Sequence, residues 1–260
     1  MMTAVVNITG AELTHWLASL LWPFMRIGAM FTAMPVFSAR SVPVRTRVLL
    51  ALLMAWLLVP VIPAPPIMDL ISAEAVLIGV YQVLIGVAMG FILQMVFSAF
   101  IIAGQAIAMT MGLGFASIVD PQNGVQVPVV SQAILIMVTL VFLALNGHLL
   151  LIELLANSFQ RLPVGPLVIS PDSLWQLVSW GSNMFVGAML VALPAVAALL
   201  LVNLAFGVTS RAAPQLNIFA VGFPAMIIVG LVFLILTLPS ITDHLSRLML
   251  QAVSLINRIV

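Results

Sequence analysis

Hydrophobic positions along this chain gather into long runs, and polar or Pro/Gly punctuation between them divides it. Residues 13–36 form the first run of membrane-spanning length, at the ~20 residues a bilayer requires, and it carries Pro23 and Arg26. Residues 48–62 are a shorter second run closed by PVIPAPP, whose prolines cannot continue a helix. Runs at 75–103 and 125–145 follow, then 174–208, where Pro194 predicts a kink or two stacked helices. The last confident span is 218–238. Residues 149–159 are apolar but too short to cross. In the tail, 241–260, Leu245, Leu248, Met249, Ala252, Val253, Ile256, Ile259 and Val260 fall on one helical face. Asp243, Arg247, Gln251, Ser254 and Arg258 lie mostly off it, so an amphipathic helix is expected, lying on a membrane or packing on a partner subunit. Taken together the pattern predicts about six spans in an all-α, membrane-embedded chain, a single domain over 1–260.

One stretch breaks the pattern from within. Residues 104–124, GQAIAMTMGLGFASIVDPQNG, lie between two long apolar runs. They hold too many glycines for a spanning helix and too many large apolar side chains for a water-facing loop. Irregular backbone at membrane depth survives only when buried in protein or lining a cavity, so a re-entrant loop is expected here. Asp120-Pro121 and Asn123-Gly124 are turn signals within it. Methionine is flexible and polarizable, and Met109 and Met111 between glycine hinges suit a deformable seal. A buried connector would use the same residues.

Charge adds orientation. Arg40, Arg45 and Arg47 form a short basic cluster, which the positive-inside rule assigns to the cytoplasm. Asp69 and Glu74 then face the other side. An even number of spans would put Arg247 and Arg258 there too, against that rule, so either one run does not cross or the protein is not a simple bundle. Arg26 is the charge inside a confident span, at a cost of about 2.5–3.5 kcal/mol unless paired or snorkelled. It either faces a subunit interface or aqueous path, or pairs with Glu74 or Asp120. Gly79, Gly86 and Gly90 with Gln82 and Gln94 offer small and polar faces for close helix contact, expected with other subunits. Arg211, Gln215 and Asn217 cluster at a polar break between apolar runs, where unpaired groups are costly, and are expected to bond across subunits or to helix ends.

Composition excludes much else. The 260 residues are 64% hydrophobic and 6% charged, against about a quarter charged in soluble domains, and mean hydropathy is +1.31. A net charge of +1 gives no basis for nucleic-acid binding. There is no cysteine, and no cleaved signal peptide is expected at the N-terminus. His15, His148 and His244 have no ligand spacing, Glu153 stands alone, and no nucleophile–base pair or paired carboxylates appear. The chain is therefore expected to need no metal or cofactor and to be no enzyme.

The segment Ser210 to Pro224, SRAAPQLNIFAVGFP, closely resembles the FliR family, the R subunits of the flagellar type III export gate. RIGAMFTAMPVF with the following VPVR, Glu74, Gly79, Gly86, Gly90, Asp120-Pro121, Asn146-Gly147 and Ser158-Phe159 extend the resemblance over essentially the whole chain. It implies a P-like part joined to a Q-like helical hairpin. It also implies assembly with P-type and Q-type subunits and the B-type switch subunit, in the basal body of the bacterial inner membrane, much of the gate standing above the bilayer plane. Unfolded flagellar proteins would pass through. The 104–124 loop would be the channel plug, carried by Met109, Met111, Gly112, Leu113, Gly114 and Phe115. Arg26, Asp120, Pro121, Arg211, Pro214, Gln215 and Asn217 would serve structure and assembly. The rival reading is a small-solute or ion transporter, which would show intramembrane acids or broken helices in both halves; here the acids are few and the halves unlike.

Overall fold

Each hydrophobic run carries helix in the computed structural model, which describes residues 10–38, 42–66, 68–113, 128–166, 170–212 and 218–259. The helices are α1 (Gly10–Ala33), α2 (Pro35–Ser38), α3 (Val44–Leu58), α4 (Ala73–Thr110), α5 (Val129–Ala144), α6 (Gly147–Arg161), α7 (Pro171–Ser179), α8 (Gly181–Ala212) and α9 (Ile218–Ile259). No strand occurs among the described residues, and the chain is an all-α integral membrane protein. Local chemistry sets several boundaries. The Ser72 hydroxyl accepts from the Ala75 N–H and caps α4, with Glu74 in the first turn where the helix dipole favours a carboxylate. Ser170 caps α7 the same way through the Ser173 N–H.

Among the described residues three stretches are long and apolar enough to cross a membrane: Ala73–Thr110, Pro171–Ala212 and Val221–Ile259, or four if α5 and α6 form one broken span. That is fewer than the six spans read from the sequence. α3 has fifteen residues, about 22 Å of helix, short of the ~30 Å hydrocarbon core. α1 dilutes its apolar content with Thr14, His15, Ser19, Pro23 and Arg26. The long fifth run does divide into two helices, but at Trp180, while Pro194 sits inside α8. Asn146, with φ of 58°, makes the turn between α5 and α6.

The tail also differs from expectation. α9 continues without a break through Pro224 and Pro239 to Ile259. Near Pro239 the hydroxyls of Thr237 and Ser240 donate to the carbonyls of Leu234 and Thr237, the kind of local bonding that lets a membrane helix tolerate proline. Its apolar face, with Leu245, Leu248, Met249, Ala252 and Ile256, is buried inside this chain rather than offered to a bilayer surface or a partner.

The chain divides into two compact units. The first comprises Met1–Gln94, His148–Val178 and Val253–Val260. In it α3 packs on α1, and α4 lies against α1 along a row of glycines. A Cβ on Gly86 would stand 2.1 Å from the Arg26 carbonyl oxygen, and one on Gly90 2.6 Å from the Ala33 Cβ. Gly79, Gly86, Gly90 and Gln82 are buried there, so the small-residue face predicted to meet other subunits is used within the chain. The Arg161 guanidinium donates to the Asn257 carbonyl, holding the end of α6 to the end of α9.

The second unit comprises Met95–Gly147 and Ser179–Ala252. Phe97 and Phe142 meet edge-to-face at 5.5 Å and join α4 to α5. Gly104 lies against Ser131, where a Cβ would be 2.7 Å from the Ser131 Cα. Gly187 of α8 receives the Leu248 side chain of α9.

Candidate functional site

The segment predicted to be a loop from residue 104 is helical through Thr110. Gly104 is there for helix contact with α5, not for a bend. The helix then stops abruptly. Gly112 takes φ of +82°, the left-handed conformation that glycine adopts without steric cost. Its N–H bonds the Met109 carbonyl at 3.1 Å, and the Leu113 N–H bonds the Ala108 carbonyl at 2.9 Å. These two bonds are a Schellman cap with Gly112 at the C′ position. Residues 114–127 lie outside the described residues, and with them Gly114, Phe115, Asp120 and Pro121.

The two methionines at this terminus divide their roles. Met111 is buried and fills the notch left by Gly230 on α9, where a Cβ would come within 2.6 Å of its sulfur. Met109 is 68% exposed, unusual for a large apolar side chain in an otherwise packed terminus. Beside it lies a cavity of about 320 Å³, bounded by Met109, Met111, Gly112, Phe206, Phe223 and Met226, with Asn203 and Thr110 as its polar members. Deformable thioethers and aromatic rings thus line the point where the chain leaves α4. Gly112→Val is expected to destabilise this terminus by about 1–3 kcal/mol, because a β-branched residue resists positive φ. The added Cβ would also stand 3.0 Å from the Phe223 ring. Hydrogen exchange at the Gly112 and Leu113 amides reads this out; unchanged protection would contradict it.

Arg26 occupies the centre of the other unit and is fully buried. Its Nε donates to Gln82 Oε1 at 2.8 Å, one terminal nitrogen to Ser158 Oγ at 3.1 Å, and the other to the Leu162 carbonyl at 2.8 Å. The guanidinium carbon lies 4.0 Å from the Phe159 ring centroid, close enough for a cation–π contact. The Ser158 hydroxyl itself donates a hydrogen bond to the Leu155 carbonyl at 2.7 Å. Among the described residues Arg26 does not pair with Glu74, and the expected alternative partner, Asp120, lies outside them. Being fully buried, Arg26 faces no aqueous path there, and the partners it has are neutral, while Glu74 is exposed. The fork of guanidinium donors instead fastens α1 to α4 and to the end of α6.

Comparison with known proteins bears on what this helical frame serves. Residues 17–252 match the family described as bacterial export proteins, family 1. The chain is 35% identical over 256 residues to the flagellar biosynthetic protein FliR of Escherichia coli K12, covering 98% of each. It belongs to the FliR family. FliR of Pectobacterium carotovorum is 36% identical over 94% of each chain. FliR of Bacillus subtilis is 35% identical over 82% of this chain and 83% of its own.

The most diagnostic FliR-like block, 210–224, is described only at its two ends. Arg211 is exposed in the last turn of α8, where a cation complements the helix dipole, and Phe223 lines the cavity beside Gly112. Pro214, Gln215 and Asn217 lie outside the described residues. The sequence reading missed Gln82, Ser158 and Leu162 as the partners of Arg26. A signal for two of them existed: Gln82 falls between Gly79 and Gly86, and Ser158-Phe159 is among the residues that carry the FliR resemblance. No group of three or more His, Cys, Asp or Glu able to hold a metal occurs among the described residues.

Proposed function

We infer that this chain is a subunit of the flagellar protein export gate, one that helps form and close the route by which unfolded flagellar proteins cross the inner membrane. The observation that carries it is the family match over residues 17–252 in an all-helical membrane protein. Export of an unfolded chain calls for a wide path without a side-chain-specific pocket, and a seal that yields. In our reading the whole chain acts as one non-catalytic gate domain in the basal body, bound to P-type and Q-type subunits and the B-type switch subunit. Large apolar side chains exposed on α8 and α9, among them Leu193, Leu201, Leu204, Ile228, Ile235 and Leu236, support burial against other subunits or lipid.

The plug function belongs to this proposal. It rests on the glycine cap at Gly112, the exposed Met109 and the soft cavity walls, with Leu113, Gly114 and Phe115 continuing the segment. Pro214, Gln215 and Asn217, with Arg211, Asp120 and Pro121, hold the assembly. Deleting the gene should abolish secretion of hook and filament proteins while general secretion continues. A variant with residues 114–124 shortened should still co-purify with its partners but raise the resting ion conductance of the membrane. Intact filaments with a lost solute flux would point to a transporter instead, and a tight membrane with the shortened loop would make that segment a connector.

A further inference from the structure

Between Asn183 and Thr209 the α8 helix carries a single polar side chain, Asn203. It is exposed and makes no side-chain hydrogen bond among the described residues. An amide held unpaired against hydrocarbon is costly. Thr209 lies six residues on, ~9 Å along the helix, so the short Asn203 side chain does not reach the polar end of α8. Asn203 instead lines the cavity of about 320 Å³ beside Gly112. The other polar group there, the Thr110 hydroxyl, donates back to the Ala106 and Ile107 carbonyls at 3.2 and 2.8 Å. Among the described residues no charged side chain lines the cavity, and the rest of its wall is methionine, phenylalanine and glycine. We propose that this cavity is a contact point for the polypeptide in transit, resting on the export reading above. The Asn203 amide bonds a main-chain peptide group of the unfolded chain, and the thioether and aromatic walls receive an adjacent apolar side chain.

Three observations support that occupant. A carboxamide both donates and accepts, so it matches a peptide unit in both directions, whereas a lipid acyl chain would leave it unpaired. Main chain is common to every substrate, and methionine walls adapt to side chains of different shape, so the contact tolerates any sequence. The cavity is at the lower end of ligand-site volumes, ~300–1,000 Å³, which suits a side chain rather than a partner's helix.

Site-specific photo-cross-linking in the assembled gate tests this. Phe206, on the cavity wall three residues from Asn203, is replaced by p-benzoylphenylalanine. A flagellar substrate fused at its C-terminus to a domain that does not unfold is then stalled in the complex. A light-dependent adduct with the stalled chain is expected, and it should vanish when substrate is withheld. Serine in place of the apolar residues of the stalled stretch should lower the yield, whereas shuffling their order should not. Asn203→Leu suits an apolar helix but removes the amide. It should leave the complex intact and slow export about fivefold, the worth of one net hydrogen bond, while Asn203→Gln should keep most of the rate. An unchanged export rate for Asn203→Leu would overturn the proposal, as would a Phe206 adduct confined to lipid, to a partner subunit or to residues 114–127. So would loss of the complex in Asn203→Leu, which would make the amide a subunit contact. Failure of the export reading shows differently, as continued secretion of hook and filament proteins without the gene.

Discussion

Arg26→Ala is expected to strip the first unit of its centre and to lower the melting temperature of the extracted chain by on the order of 10 °C. The substitution leaves the Gln82 side-chain oxygen and the Leu162 carbonyl without the donors they now have. The buried Gln82 oxygen, once orphaned, costs about 1–3 kcal/mol, and the half-buried Leu162 carbonyl costs less because water can reach it. Ser158 is spared, since its hydroxyl keeps the Leu155 carbonyl. The void left by a large, fully buried side chain adds to the loss. Lysine does not rescue, because one ammonium cannot reproduce a planar fork aimed at three acceptors on α4 and the end of α6. Combining Arg26→Met with Gln82→Leu should recover part of the loss, because removing both partners is far cheaper than removing one. A melting temperature within two degrees or so of the wild type for Arg26→Ala alone would show that the network is not what holds α1.

Gly86→Ala should come second in severity, although alanine is the better helix former by about 1 kcal/mol. Sterics decide the sign. The new methyl would sit 2.1 Å from a backbone oxygen and 2.9 Å from the Ala29 Cβ, and backbone atoms cannot swing aside as a side-chain tip can. Separating α1 from α4 by about an ångström costs about 1–3 kcal/mol or more, and it also lengthens the Arg26–Gln82 bond. The two substitutions should therefore be non-additive in a double-mutant cycle. Gly207→Ala on α8 is the control, since nothing lies within 4 Å of a Cβ there and the propensity gain should appear. Comparable losses for Gly86→Ala and Gly207→Ala would contradict the packing argument.

How far the sequence reveals this molecule depends on the length scale of the signal. Run length and punctuation give most of the helices, because burial of apolar surface sets them locally, but the split at Trp180 carries no such signal, and Pro194, which does, lies inside α8. Helix ends are less visible. Gly104 and Gly112 look alike in sequence, yet one is a contact surface for Ser131 and the other a cap, and only the neighbouring helix distinguishes them. The partners of Arg26 were hidden for a similar reason. A charge in a span suggests an opposite charge, but three neutral acceptors arranged around a guanidinium fork meet the same need, and nothing in local spacing announces them. Gly79, Gly86 and Gly90 were legible as a packing face, whereas whether that face meets this chain or another is a tertiary fact.

The same network has a consequence for biosynthesis. Arg26 finds its acceptors 56, 132 and 136 residues further along the chain. At a synthesis rate of ~5–20 residues per second, α1 emerges roughly 7–27 seconds before the last of them exists. Throughout that interval its guanidinium has no permanent place in hydrocarbon. The first helix must therefore wait at the insertion machinery or the lipid headgroups until the end of α6 has been made, so its docking is a late event.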